Sequence, residues 1–247
     1  MPDIISFRAS GEFAAFRDPS VTSNQTVYYI PSKSAVIGMI GAVLGIERDH
    51  SLGEIYGPGY LELFKKTSIG IELESDPRKV SFFTNHRSLK ESKTKPFKTE
   101  VLVSPSYRFY VKTDDATREA LYKSLKDNDC KYAPYFGHAY CPARISDVAM
   151  QDMPLFKELK FATSAVILDE SETYNTGFSV TANKAQDSSR MIIERHLHHF
   201  FENGQLERRV LRHWIPAGGS IYKVQIEKPK LSSLHSFPDG GKVVCLY

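Results

Sequence analysis

The groups in this chain best suited to chemistry are hydroxyls and a cation gathered where an apolar run begins. Ser32, Lys33 and Ser34 follow Pro31 and precede Ala35, Val36, Ile37, Met39, Ile40, Ala42, Val43 and Leu44. Pro31 pre-sets a turn, and the Ser32 hydroxyl suits the free backbone N–H groups of a starting helix. Such a start, with a cation beside it, attracts anions; the same residues also describe an ordinary capped core helix. A second set lies in Asn85 to Lys98, where Arg87, Lys90, Lys93, Lys95 and Lys98 stand against the single acid Glu91. This segment has no apolar periodicity, and Pro96 interrupts it. It reads either as a solvated loop or as a mobile basic finger closing on phosphates, with His86 and Phe97 as stacking groups.

Other reactive residues suggest little chemistry. His196 and His199 stand at i, i+3 in a predicted helix from Ser188 to Asn203, with Glu194 and Glu202 near and Arg190, Arg195 and His198 on the same element. No cysteine pair or carboxylate–histidine motif accompanies them, so the reading is a solvated or ligand-facing helix and no metal site. Cys130, Cys141 and Cys245 are widely spaced and form neither a zinc pattern nor a disulfide framework. Ala217-Gly218-Gly219 and Asp239-Gly240-Gly241 are turn signals, not phosphate loops.

The elements that must position these groups follow from periodicity. Ile4 to Ala9 alternates as a half-buried strand with Arg8 on its polar face. Phe13 to Phe16 continues toward Arg17-Asp18-Pro19. The apolar run from Ala35 predicts a helix buried on nearly every side and ended by Gly45. Gly38 and Gly41 within it predict close approach to a sheet. A linker with Gly53, Gly57, Pro58 and Gly59 leads to strands at Ile69 to Leu73 and Val80 to Thr84. Further strands are predicted at Val101 to Val111 and Arg144 to Met150. A helix runs from Asp114-Asp115 to Lys126, with acids at its start and cations at its end, as the macrodipole favours. The order strand, helix, strand, strand, helix, strand over residues 1–150 predicts an α+β, ferredoxin-like βαββαβ domain with a basic insertion at about 85–100. Residues 151–247 predict a β-rich extension packed on it, with strands at Phe161 to Leu168, Thr176 to Thr181, Ile221 to Ile226 and Val243 to Tyr247.

Composition sets the limits. With 247 residues, 41% hydrophobic and 12% aromatic, the chain can bury a substantial core. Its 32 Lys+Arg against 29 Asp+Glu give a net charge of only +3, so any polyanion surface must come from local clustering. The start Met1-Pro2-Asp3 lacks a signal-peptide pattern, and no stretch suits a membrane span; the reading is a soluble, cytoplasmic protein.

Three blocks resemble the fifth CRISPR-associated (Cas) family, a subunit of the type I Cascade surveillance complex, and look closest to type I-B. They are Phe7-Arg8-Ala9-Ser10-Gly11 with Phe16-Arg17-Asp18-Pro19; Tyr29-Ile30-Pro31-Ser32-Lys33-Ser34 with Gly38 and Leu44-Gly45; and Phe136-Gly137 with Ala143 and Ile145. The resemblance covers the first 150 residues or so. It implies a RAMP-type subunit that holds the 5′ repeat-derived handle of the guide RNA and caps the backbone filament. It further implies contacts with the backbone subunit and the large subunit, with no cofactor and no small-molecule substrate. Arg8, Arg17, Ser32, Lys33 and Ser34 would grip RNA near the helix start. His86, Arg87, Lys90, Lys93 and Lys95 would act from a thumb, and the Gly137-His138 turn would serve as turn or RNA contact.

One branch of that family cleaves precursor RNA without metal, using a Tyr late in the core helix and a Lys-His pair before the second helix. Here those places read Leu44 and Lys112-Thr113-Asp114-Asp115. A base and a cation for a developing phosphorane are missing there, so a non-catalytic binder is expected. The alternative is a metal-independent endoribonuclease.

Overall fold

The computed structural model describes residues 3–21, 24–47, 57–87, 93–182, 190–202, 205–227, 229–239 and 241–247. The alternation at the start forms β1 (Ile4–Ser10), with Ile5, Phe7 and Ala9 buried on one face. Then come β2 (Phe13–Ala14) and helix α1 (Lys33–Leu44). The Ser32 hydroxyl accepts from Ala35 N at 3.3 Å, and Gly45 ends the helix at φ 75°, a conformation glycine adopts freely.

The Gly57-Pro58-Gly59 signal, predicted as linker, instead opens helix α2 (Pro58–Lys66). Proline is tolerated in a first helical turn, and Tyr60, Leu63 and Phe64 fall on one face and are buried. After α2 follow β3 (Ser68–Leu73), β4 (Arg78–Arg87), β5 (Thr94–Val103), β6 (Ser106–Lys112), helix α3 (Asp115–Lys126) and β7 (Arg144–Gln151).

Four of these strands form one sheet in the order β3-β6-β1-β7, every neighbouring pair antiparallel. Val36, Ile37 and Ile40 of α1 and Leu121 and Leu125 of α3 join Phe7, Ile71 and Phe109 in the core beneath it. The α1 helix is not buried all round. Ala35, Gly38 and Ala42 remain half-exposed, and the predicted approach of the glycines to a sheet does not occur. A Cβ at Gly38 would meet nothing within 4 Å, and one at Gly41 would lie 3.1 Å from the Ile46 carbonyl oxygen. Small side chains fit an apolar run, but they do not say which side is covered.

Where it is described, the basic segment is paired strand and not loop. Within the described residues, β4 and β5 form an antiparallel ribbon whose register runs from Arg78↔Val103 to Arg87↔Thr94. The β2 strand pairs with β5 at its base. Paired backbones can hold a polar ribbon extended without an apolar stripe along its length, which is why periodicity missed it.

The remainder is β-rich: β8 (Lys160–Thr163), β9 (Ile167–Asp169), a short helix α4 (Ser171–Tyr174), β10 (Phe178–Ala182), β11 (Arg190–Glu202), β12 (Gln205–Ala217), β13 (Tyr222–Ile226), β14 (Ser233–Ser236) and β15 (Val243–Leu246). Strands pair in the orders β10-β13-β8, β11-β12-β9 and β14-β15. The predicted helix at 188–203 is therefore wrong: Arg190–Glu202 is a strand paired residue for residue with β12. Its buried face carries Ile192, His196 and His198, so histidines occupy inward positions and the period-two apolar signal is erased. This region is tied to β3 by reciprocal Ile69–Tyr247 backbone bonds of 3.0 Å. The buried Glu72 carboxylate accepts from Ser164 at 2.6 Å and Tyr110 at 3.2 Å and pairs with Lys242. Among the described residues no helix is long and apolar enough to cross a membrane.

Candidate nucleic-acid interface

The three sequence blocks meet around one aromatic cluster. Phe16, Tyr107 and Phe136 lie with ring centroids 5.4 to 5.9 Å apart in edge-on contacts. The Tyr107 hydroxyl donates to the Tyr29 carbonyl at 2.7 Å, fixing the chain just before Pro31. Ala15 N donates to the Phe136 carbonyl at 2.9 Å. Gly137 then turns at φ +84°, and a Cβ there would collide with the Ala15 carbonyl. Only glycine fits that approach.

From this cluster a band of polar and aromatic groups runs to the ribbon. His138 is joined to Gln25 by a 2.7 Å hydrogen bond and stacks on Tyr140 at 5.0 Å, 10° from parallel. The backbone of Gln25 bonds to β5 on both sides, N to Lys98 O at 2.9 Å and O from Glu100 N at 2.8 Å. Arg17 is exposed and bridges to Val27 in the same loop. Beyond the buried Thr99 the ribbon projects by about 17 Å, taking about 3.4 Å per residue for five residues. Lys93, Lys95, Lys98 and Arg87 on it are exposed. Phe83, 74% exposed, sits directly across from Lys98. The backbone of His86 lies opposite Lys95 in the register, and Lys90 lies outside the described residues.

Two groups that the sequence placed on this surface have other partners. Arg8 lies on the sheet face opposite Phe7, donating to Glu74 at 2.6 Å with Asp147 at 3.2 Å. Arg108, its cross-strand neighbour, binds the other Glu74 oxygen at 2.7 Å, so two cations already face two carboxylates. The Lys33 ammonium turns inward over the Phe64 ring, 4.9 Å from its centroid, and desolvation pushes its pKa down to about 8. Ser32 and Ser34 share a 2.9 Å hydroxyl contact at the α1 start. Backbone pairing and the Gln25–His138 bond thus link the segments that carry Arg17, His138 and the ribbon cations. Arg8 and Lys33 make their contacts elsewhere.

Sequence reasoning missed several members. Tyr132, Tyr135 and Tyr140 are 50%, 47% and 57% exposed in the turn-rich stretch before β7. Aromatics among Pro and Gly, outside any periodic element, were the available signal. The charged residues of β11 were misplaced as well. Glu194 accepts from Tyr29 N at 2.9 Å, contacts His196 at 3.1 Å and pairs with Lys79 at 3.5 Å. Tyr28 stacks on His196 with centroids 3.9 Å apart. The β11–β12 hairpin thereby anchors the segment that enters α1. Among the described residues no group of three or more His, Cys, Asp or Glu side chains is arranged to hold a metal ion.

The arrangement is a strand-rich mixture of helices and antiparallel sheet, with an exposed basic ribbon and stacked aromatics beside it. The family model described as CRISPR-associated protein (Cas_Cas5) matches residues 4–213, and the chain belongs to that family. A solved structure described as a CRISPR protein from Archaeoglobus fulgidus is 16% identical, covers 98% of each chain and superposes with a TM-score of 0.57. A chain of a CRISPR RNA-guided surveillance complex is 12% identical over 87% of this chain and 92% of its own, with a TM-score of 0.50. These likenesses concern the fold. A search of curated protein sequences finds no match.

Proposed function

We propose that this chain is a subunit of an RNA-guided CRISPR effector complex, of the type I-B Cascade kind, that binds the 5′ repeat-derived handle of the guide RNA. In this reading it caps the backbone filament and contacts the backbone and large subunits. The observation that carries the reading is the backbone junction at Gln25. It joins the exposed basic ribbon to the stacked His138–Tyr140 pair, setting phosphate-binding cations and base-stacking rings on one frame. Single-stranded RNA is bound by that combination, with cations positioning the backbone and rings taking unstacked bases. The β3-β6-β1-β7 order, with α1 after β1 and α3 after β6, supports a ferredoxin-like core for residues 1–150 carrying a β-rich extension.

The same reading makes the subunit non-catalytic. Leu44 offers no proton-transfer group, Lys112 is paired with Asp3 at 2.7 Å, and Asp114 caps α3 by accepting from Thr117 N at 3.1 Å. Thr117 and Lys66 hold the Asp114 carboxyl well below the usual carboxylate range, so it is a poor base at neutral pH.

Handle-RNA titrations at several salt concentrations test both parts. Combined reversal of Lys93, Lys95 and Lys98 to Glu lowers the salt slope by about 0.7 for each phosphate left without its cation, roughly 2 in all. The RNA itself stays intact throughout the incubation. Unchanged affinity and slope in a folded variant place the RNA elsewhere; site-specific cleavage by the pure protein restores the nuclease reading.

A further inference from the structure

The β11–β12 hairpin turns one face to the core, where Ile192, His196, His198, Leu211, His213 and Ile215 are buried. Directly paired residues share a face, so the register sets out the opposite face in rows. Ile193 pairs with Trp214, Arg195 with Arg212 and Leu197 with Val210, and Arg208 stands one row further. Ile193 is 52% and Val210 58% exposed, while Leu197 and Trp214 are half-buried. A lone exposed aliphatic is ordinary, but these four occupy two rows with only the arginine row between them. The aliphatic stems of Arg195 and Arg212 join the rows into one patch. Two arginines directly opposite each other repel, and Glu172 of α4 relieves this. Arg195 Nη2 donates to both Glu172 carboxylate oxygens at 3.0 Å, and Arg212 binds the same carboxylate. Arg208, exposed, adds a third guanidinium to the face.

These side chains select among three occupants. A second copy of the chain, docked face to face, would set arginines against arginines. A nucleic acid would meet cations, but Ile193, Leu197 and Val210 offer no ring for its bases. The Trp214 indole N–H is donated to Asp169 at 3.1 Å, and Arg195 and Arg212 already hold a carboxylate. A protein surface with an apolar centre and carboxylates beside it matches both parts of the face, and Glu172 shows that carboxylates suit these arginines. We propose that the outer face of the β11–β12 hairpin docks such an acidic, apolar-centred surface of a neighbouring protein subunit. Ile193 and Val210 cover the apolar centre of the partner, and Arg195 and Arg208 face its carboxylates. The proposal rests on the reading of the chain as a subunit of a multi-protein complex, and it adds the surface through which one partner is held.

The test uses the double variant Ile193→Ser/Val210→Ser, which removes the apolar centre, and Arg208→Glu, which reverses one cation. The full chain is co-expressed with the other subunits and the guide RNA of its own effector complex. Assembled complex is quantified by size-exclusion chromatography with light scattering at low and high salt. In parallel, the isolated chains are melted, sized and titrated with handle RNA. The expected result for the double variant is at least a tenfold loss of assembled complex. Its isolated chain binds handle RNA within twofold of wild type and melts within a few degrees of it, since both side chains are exposed. Arg208→Glu loses assembly severalfold at low salt, and the loss shrinks at high salt as the repulsion is screened. Wild-type assembly by either variant overturns the proposal. So does a tenfold loss of handle binding in either, which makes the face an RNA site. A wild-type dimer that the double variant dissolves gives the face to a second copy instead. A melting temperature of the double variant lowered by ten degrees or more overturns it too, because the two side chains then serve the chain's own fold. If the wild-type chain enters no complex at all, the underlying reading fails and the docking site with it.

Discussion

Acid should unfold this protein through one pair of histidines. His198 and His213 face each other inside the β11–β12 hairpin with their Nε2 atoms 2.7 Å apart, a hydrogen bond that requires one ring to accept. Burial, with His196 and Lys33 nearby, pushes His198 down to about 3, and burial with the neighbouring histidines holds His213 well below 6.5. In the unfolded chain both titrate at about 6.5. Above that value neither state binds the proton and stability is independent of these groups. As pH falls below it, the unfolded chain gains protons that the folded chain refuses. Each histidine then costs about 1.4 kcal/mol per pH unit, until its own folded pKa is reached. At pH 5 that is about 2 kcal/mol each and roughly 4 kcal/mol for the pair. In a chain of this size the melting point should fall by roughly 8 to 16 °C. The control is the double variant His198→Leu/His213→Leu, which removes both partners together and leaves no orphaned polar atom of the pair. Urea unfolding followed by the fluorescence of Trp214, the one tryptophan, at pH 7.5, 6.5, 5.75 and 5 gives both profiles. The difference in stability between wild type and double variant should shift by about 4 kcal/mol toward the variant between pH 7.5 and 5. His235, also lowered by burial, is present in both chains and cancels. Parallel profiles, or a wild-type profile flat from pH 6.5 to 5, refute the reasoning.

Two further outcomes follow from local geometry. Gly137→Ala forces a side chain into the Ala15 carbonyl at a left-handed φ, so thermal melting should show a loss of about 3 kcal/mol or more; a shift under 1 kcal/mol means the turn can relax. Ser32→Ala removes the hydroxyl that accepts from Ala35 N. Urea unfolding should record a loss of about 1 kcal/mol, while Ser32→Asp retains a cap and most of the stability.

How much could be read without the structure differs by element, for physical reasons. The α1 helix from Ser32 to Gly45, the α3 helix and the strands of the four-stranded sheet rest on signals confined to a few neighbouring residues: caps, macrodipole charges and apolar alternation. The Ser32 cap, the Gly45 stop and the inward Ile5-Phe7-Ala9 face appear where those signals placed them. Family membership was legible too, because the Phe16, Tyr29 and Phe136 blocks keep side chains that must pack together.

Tertiary structure alone decided the rest. Strand β11 hides its alternation because His196 and His198 fill inward positions, stabilised by groups far away in sequence, such as Tyr28 and His213. The β4–β5 ribbon is held by backbone pairing, which depends little on side-chain type. Pairing likewise determined which cations remain exposed. Arg8 is held by Glu74, 66 positions away, and Lys33 turns onto Phe64, while Lys93, Lys95 and Lys98 stand in solvent. Charge belongs to a residue, but its availability to a ligand belongs to the neighbours that folding brings to it.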